Sequence, residues 1–178
     1  MSHRLFFALR PSPAAVRAAL AVAVAQRAAH GLTGRLIAPE KLHVSLNPVG
    51  GSGPPDSQTV ARACEAASGL RMGSFVAAFD RVVSFGQTAK SSPLVLCGED
   101  GVLGVTNLFG GLHTALSGVG LARGPEPQFV PHMTLLYDPR RVSEAFIDPV
   151  SWRVREVVLI HSDRTEGRHR LLGRWPLA

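Results

Sequence analysis

His43-Val44-Ser45-Leu46 and His132-Met133-Thr134-Leu135 are the residues through which this chain could do chemistry. In each, a histidine precedes a hydroxyl residue by two positions, inside a run of strand-forming residues. Successive side chains of a strand point to opposite faces, so His43 and Ser45 share one face, as do His132 and Thr134. An imidazole gives or takes a proton near neutral pH, its ordinary pKa being about 6.5. With both pairs facing one groove, one neutral imidazole takes a proton from an incoming nucleophile. The other, protonated, gives one to a departing oxygen. The hydroxyls of Ser45 and Thr134 donate to the non-bridging oxygens of a phosphate. This is the chemistry of in-line attack on a phosphodiester. It calls for no metal, and no His/Asp/Glu spacing in the chain suggests a metal site.

The elements that must position these motifs alternate between strand and helix. Residues 3–9 form the first predicted strand, ended by Pro11. Ser12 caps a helix with Pro13 at its first position and Gly31 just past its end, and Val16, Leu20 and Ala23/Val24 make its apolar stripe. A strand at 41–47 carries the first motif. The run Gly50-Gly51-Ser52-Gly53-Pro54-Pro55 is a loop, read as a flexible lip beside the groove. Asp56 caps a helix running to Ser68 and ended by Gly69. Strands at 74–85 and 93–97 form a hairpin around a polar turn at 86–92. A helix at 102–116 sets Leu103, Leu108, Leu112 and Leu116 near one side, and a strand at 129–136 carries the second motif. Strands at 153–161 and 170–175 close the chain as a hairpin. The order hints at two related halves, each delivering one histidine to a shared cleft. A mixed sheet with helices on its outer faces is the simplest architecture for it.

Composition narrows the class. The chain has 178 residues, 46% of them apolar and 18% charged, which fits one packed domain over 1–178 rather than a disordered chain. Its net charge of +6 rests almost entirely on arginine, whose planar fork suits phosphate, so nucleic acid or nucleotide ligands are favoured. Cys64 and Cys97 make no CxxC pair, which argues against a disulfide framework and for a reducing, cytoplasmic home. The N-terminus lacks the apolar core of a signal peptide, and the alanine-rich helix at 14–29, broken by Arg17 and Arg27, is too weak for a membrane span. A soluble, monomeric protein without cofactor is expected.

The chain resembles the 2H phosphoesterases and, within them, the RNA 2′,3′-cyclic phosphodiesterases, also called 2′-5′ RNA ligases. The resemblance rests on Arg4-Leu5-Phe6-Phe7-Ala8-Leu9 as first strand, on Leu42-His43-Val44-Ser45-Leu46 and Pro131-His132-Met133-Thr134-Leu135 as the paired motifs, and on a tail with Ser162, Gly167, Leu171-Leu172 and Trp175-Pro176-Leu177. It implies an α+β, bilobal fold: two pseudo-symmetric lobes of mostly antiparallel sheet, with outer helices, around a central cleft. It also implies hydrolysis of RNA 2′,3′-cyclic phosphate ends to 2′-phosphates, with His43 as proton donor and His132 as acceptor. Ser45 and Thr134 would hold the phosphate, and the reverse reaction would be 2′-5′ ligation. A phosphodiesterase acting on a small cyclic nucleotide, or a module that binds RNA ends without turnover, are the alternatives.

The sequence departs from that pattern at Leu136-Tyr137-Asp138, where relatives often carry a phosphate-binding arginine, at Asn47-Pro48, and at Arg170, near a common aromatic position. Arg140, Arg141 and Arg168 are the candidates to supply the missing charge. Phe6, Phe7, Phe129 and Trp175 could stack on a base, although strand phenylalanines usually pack in a core. His3, His30, His113 and His169 lack a hydroxyl at strand spacing and are expected to be structural or exposed. His161 and Ser162 are adjacent and point to opposite faces.

Overall fold

The computed structural model describes residues 3–51, 53–86 and 91–178. The expected turn at 86–92 therefore lies partly outside the described residues, as does Ser52 of the glycine-rich loop. In chain order the elements are β1 (His3–Leu9), α1 (Pro13–His30), β2 (Val44–Val49), α2 (Ser57–Ser68), β3 (Phe75–Ser84), β4 (Ser92–Cys97), α3 (Leu103–Gly118), β5 (His132–Asp138), β6 (Ala145–Val154), β7 (Glu156–Asp163) and β8 (Arg168–Pro176).

Local chemistry explains the helix ends. The Ser12 hydroxyl accepts from the amide of Ala15, Pro13 opens α1, and Gly31 closes it in the left-handed conformation at φ 60°. The Asp56 carboxylate caps α2 by accepting from the Thr59 amide at 2.7 Å. The predicted faces need correcting. Ala15, Ala19 and Ala23 form the buried stripe of α1, while Val24 is 48% exposed. Small side chains let this helix lie close on β5 and β6, which a valine and leucine stripe would prevent. On α3, Val105, Leu108, Phe109, Leu112 and Leu116 are buried, and Leu103 is exposed.

The strands form one eight-stranded sheet in the order β6-β3-β4-β5-β2-β1-β7-β8. Every strand pairing is antiparallel, so the expected mixed sheet is replaced by an antiparallel one. Strand β6, which contains Pro149, covers a stretch for which the sequence analysis names no element. It lies at a sheet edge, where a proline's missing N–H does no harm. The sheet divides into two four-stranded lobes, β8-β7-β1-β2 and β6-β3-β4-β5. They are not the first and second halves of the chain. The middle segment builds the second lobe, and the last two strands return to complete the first.

The helices cover one face of the sheet. Phe7, Leu9, Val44, Met133, Leu135 and Leu159 point into this core with the buried faces of α1 and α3. On the opposite face a smaller apolar cluster joins Phe6, Ala8, Val158 and Ile160, with Leu171 packed against it. The lobes meet where β2 touches β5, in a ladder of one register pair, Val44 opposite Met133. Beyond it the two strands part company. Past Met133, β5 takes residues 36–37 as its neighbour, through Ile37 N–H to the Leu135 carbonyl and the bridge Leu36–Leu136, while β2 keeps β1 on its other edge. A cleft opens at this seam.

Candidate active site

Val44 and Met133 both point into the helix-covered core, which turns their flanking residues outward. His43, Ser45, His132 and Thr134, one residue to either side of that pair, therefore share the open face. All four residues line a cleft of about 640 Å³.

The two imidazoles are held in the same way. His43 donates Nδ1–H to the Lys41 carbonyl at 2.7 Å, and His132 donates Nδ1–H to the Val130 carbonyl at 2.7 Å. A carbonyl only accepts, so each bond places the hydrogen on Nδ1 and leaves Nε2 to face the cleft. His43 Nε2 lies 3.0 Å from the Ser45 hydroxyl, which donates to it while the ring is neutral. An aromatic ring supports each imidazole: Phe6 lies 5.3 Å from His43 and Phe85 lies 5.3 Å from His132, centroid to centroid.

Their surroundings differ. Burial pushes the His43 pKa down; its bond to the Lys41 carbonyl opposes this, and the charges of His132 and Arg10 add to the lowering. His169 of β8 meets His43 edge-on at 5.4 Å and lines the same cleft. Its own pKa is pushed down to about 4, first by burial and then by His43, Lys41 and Arg10. Expected to be structural or exposed, His169 is a third imidazole of the site. Its partners come from β1 and β2, far away in sequence, and only the fold brings them together.

The candidate arginines lie elsewhere. Arg140 donates to the Gly31 carbonyl at the end of α1, Arg141 reaches the Ser84 carbonyl at 3.5 Å, and Arg168 lies 4.0 Å from Glu166. The cations that line the cleft are Arg4, Lys41 and Arg164. Of the aromatic candidates, Phe6 lines the cleft. Phe7 is buried against Trp175 at 5.8 Å, and Phe129 stacks on Phe109 at 4.1 Å.

The departures from the expected pattern have structural explanations. Asp138 is buried and accepts from the amides of Thr33, Gly34 and Arg140 at 2.6, 2.7 and 2.8 Å. Burial alone would raise its pKa, but these donors together hold it below the usual carboxylate range. It fastens the chain after α1 to the end of β5. Tyr137 lines the cleft, and Asn47 turns inward, donating to the Phe109 carbonyl at 3.2 Å. Gly50 and Gly51 lie along the cleft wall. His161 sits 3.2 Å from the His3 ring nitrogen, and His113 lies against the Gly124 carbonyl. Cys64 and Cys97 are free thiols, and burial raises the Cys97 pKa. No helix among the described residues is long and apolar enough to cross a membrane.

No protein-family model and no curated protein matches the chain. Solved structures do. A crystal structure described as a phosphoesterase is 28% identical with a TM-score of 0.74, over 99% of each chain. Escherichia coli LigT, a 2′-5′ RNA ligase, solved with 3′-AMP, is 28% identical with a TM-score of 0.70, covering 100% of this chain and 99% of its own. A protein of Thermus thermophilus shares the fold at 20% identity, with a TM-score of 0.76 over 98% of this chain and 97% of its own. The full-length match, and the antiparallel sheet that carries both histidine motifs at its seam, give this chain the fold of its solved neighbours, which are 2H phosphoesterases.

Proposed function

We propose that this protein hydrolyses the 2′,3′-cyclic phosphate end of RNA to a 2′-phosphate, without a metal, through His43 and His132. One observation carries the reading: a single register pair, Val44 opposite Met133, brings two imidazoles and two hydroxyls to one face of one cleft. The likeness to LigT, solved with 3′-AMP, supports a nucleotide ligand.

In this mechanism His132 Nε2 takes a proton from water as the oxygen attacks phosphorus. The P–O bond to the 3′-oxygen breaks, and His43 Nε2 delivers a proton to that oxygen. Ser45 and Thr134 donate to the non-bridging oxygens as charge develops. His43, whose pKa burial lowers, must hold a proton to act as donor, which the entering phosphate anion favours by its charge. The same path with a 5′-hydroxyl in place of water opens the cyclic phosphate into a 2′-5′ phosphodiester, joining two RNA ends by the same groups. Two free thiols fit a protein of the reducing cytoplasm.

The test is incubation of the protein with an oligoribonucleotide 2′,3′-cyclic phosphate, and with cyclic mononucleotides, in EDTA. A 2′-phosphate product that His43→Ala or His132→Ala abolishes supports the reading. Turnover that survives either substitution rejects the mechanism. Binding without turnover makes the cleft a recognition module.

A further inference from the structure

We infer that the side of the cleft next to His43 carries a second phosphate subsite, built from Arg4, Lys41 and Arg164, which takes the phosphodiester one nucleotide upstream of the reacting cyclic phosphate. This rests on the proposed function and adds to it the residues that would distinguish an RNA end from a cyclic mononucleotide.

Three separate elements bring these cations together. Arg4 alternates with core-facing Leu5 on β1 and pairs with Ser162, so it stands on the open face. Arg164 sits in the β7–β8 turn, whose shape is set by the Asp163 carboxylate accepting from the amide and hydroxyl of Thr165 at 2.8 and 2.6 Å. Lys41 donates one N–H to the Gly167 carbonyl at 2.6 Å, which anchors its ammonium at the cleft edge with two N–H groups to spare. The carbonyl of this same residue orients His43, tying the subsite to the reacting imidazole.

Among the described residues, none of these three cations forms an ion pair. Some arginines outside the cleft are paired: Arg81 meets Glu99 at 2.8 Å, Arg170 meets Glu166 at 2.8 Å, and Arg174 meets Glu156 at 3.8 Å. Among the described residues the carboxylate that lines the cleft is that of Asp163, committed to its own turn and to His3 at 3.8 Å. Three like charges facing a cleft whose carboxylate, Asp163, is held by its own turn repel one another until an anion enters.

The reacting phosphate already has His43, Ser45, His132 and Thr134. Arg4 lies two residues along β1 from Phe6, the ring in contact with His43, a step of roughly 7 Å. That offset suits the next phosphate of an extended single strand better than the one between the histidines. Guanidinium forks at Arg4 and Arg164 fit its paired oxygens.

The experiment compares three substrates: cytidine 2′,3′-cyclic phosphate, the same nucleotide with a 5′-phosphate, and a cytidine dinucleotide ending in the cyclic phosphate. For the unaltered protein, kcat/KM on the dinucleotide should exceed that on the first by about 10- to 100-fold, the worth of one or two charged hydrogen bonds. The double variant Arg4→Gln, Arg164→Gln should bring that ratio towards one, chiefly through KM. It should also flatten the logarithmic salt dependence of KM for the dinucleotide by about 1.4, near 0.7 per cation lost. Arg4→Lys should recover part of the ratio, which a merely structural arginine would not show. Equal kcat/KM on all substrates, or a ratio the double variant leaves intact, overturns the inference while leaving the phosphodiesterase reading in place. If the 5′-phosphorylated mononucleotide matches the dinucleotide, the subsite takes a terminal phosphate and the upstream-phosphodiester assignment fails. If nothing turns over, the proposed function fails. Affinity for a 3′-phosphorylated dinucleotide against 3′-AMP, with the same variants, then tests the subsite alone.

Discussion

The two sides of the cleft present the same local device in different surroundings. On both, an imidazole donates Nδ1–H at 2.7 Å to the carbonyl two residues before it and rests 5.3 Å from a phenylalanine. On the His43 side stand His169, Lys41 and the arginines Arg4 and Arg164, which form no ion pair among the described residues, and the ring is buried enough to lose basicity. On the His132 side, the corresponding row runs through Cys97 to Arg81, whose guanidinium is occupied by Glu99 at 2.8 Å and Glu144 at 3.6 Å. A repeated strand geometry thus delivers two equivalent imidazoles, and the lobes make them inequivalent. A reaction that needs one donor and one acceptor requires such a difference.

The largest test of this comparison is to remove each imidazole. His43→Ala and His132→Ala should each lower kcat/KM by about 100- to 10,000-fold, and the double variant should add little, because the pair acts as one unit. Fully additive losses would mean that the two rings work independently. The hydroxyls come next. Ser45→Ala and Thr134→Val should each lower kcat by about 10- to 1,000-fold. A much smaller loss at Ser45 would show that its bond to His43, rather than to phosphate, is the one that persists in the complex.

The asymmetry also sets the pH response. With His43 as proton donor, kcat/KM should fall as pH rises past its depressed pKa, placing the optimum on the acid side of 6.5. A profile still rising through neutral pH would assign His43 the acceptor role. Stability carries a related signature. An unfolded chain protonates His169 near 6.5, but the folded one only at about 4, so stability should decline as pH falls through that window. Thermal melts of His169→Phe should show a shallower decline.

The smallest effects concern the helix-covered face that supports both lobes. Ala19→Leu in α1 should destabilise by about 1–3 kcal/mol, since there is no room for the added carbons. Val24→Ala, on the exposed side, should stay within about 0.5 kcal/mol. Equal effects at the two positions would contradict the alanine contact with β5 and β6.

How much is legible in the chain depends on how local each signal is. Ser12, Pro13, Gly31 and Asp56 announce helix ends because a cap is decided within four residues. Strand alternation is enough to put each histidine beside its own hydroxyl. The edge strand β6 escapes a sequence reading because a proline there reads as loop until a partner strand is known. The stripe of α1 differs from the expected one because side-chain size marks core candidates, whereas how near a helix approaches a sheet depends on what lies beneath it.

Arginines close to the second motif in sequence, Arg140 and Arg141, bind backbone carbonyls instead of facing the cleft. The cleft draws its positive charge from β1, from the turn before β2 and from the β7–β8 turn. The chemistry of the reacting groups is thus written in residue type and spacing, because a period of two is a property of any strand. Which charges and rings surround them depends on strand order and on one register pair. Electrostatic and packing interactions act through space, and linear order says little about which distant segments will be neighbours.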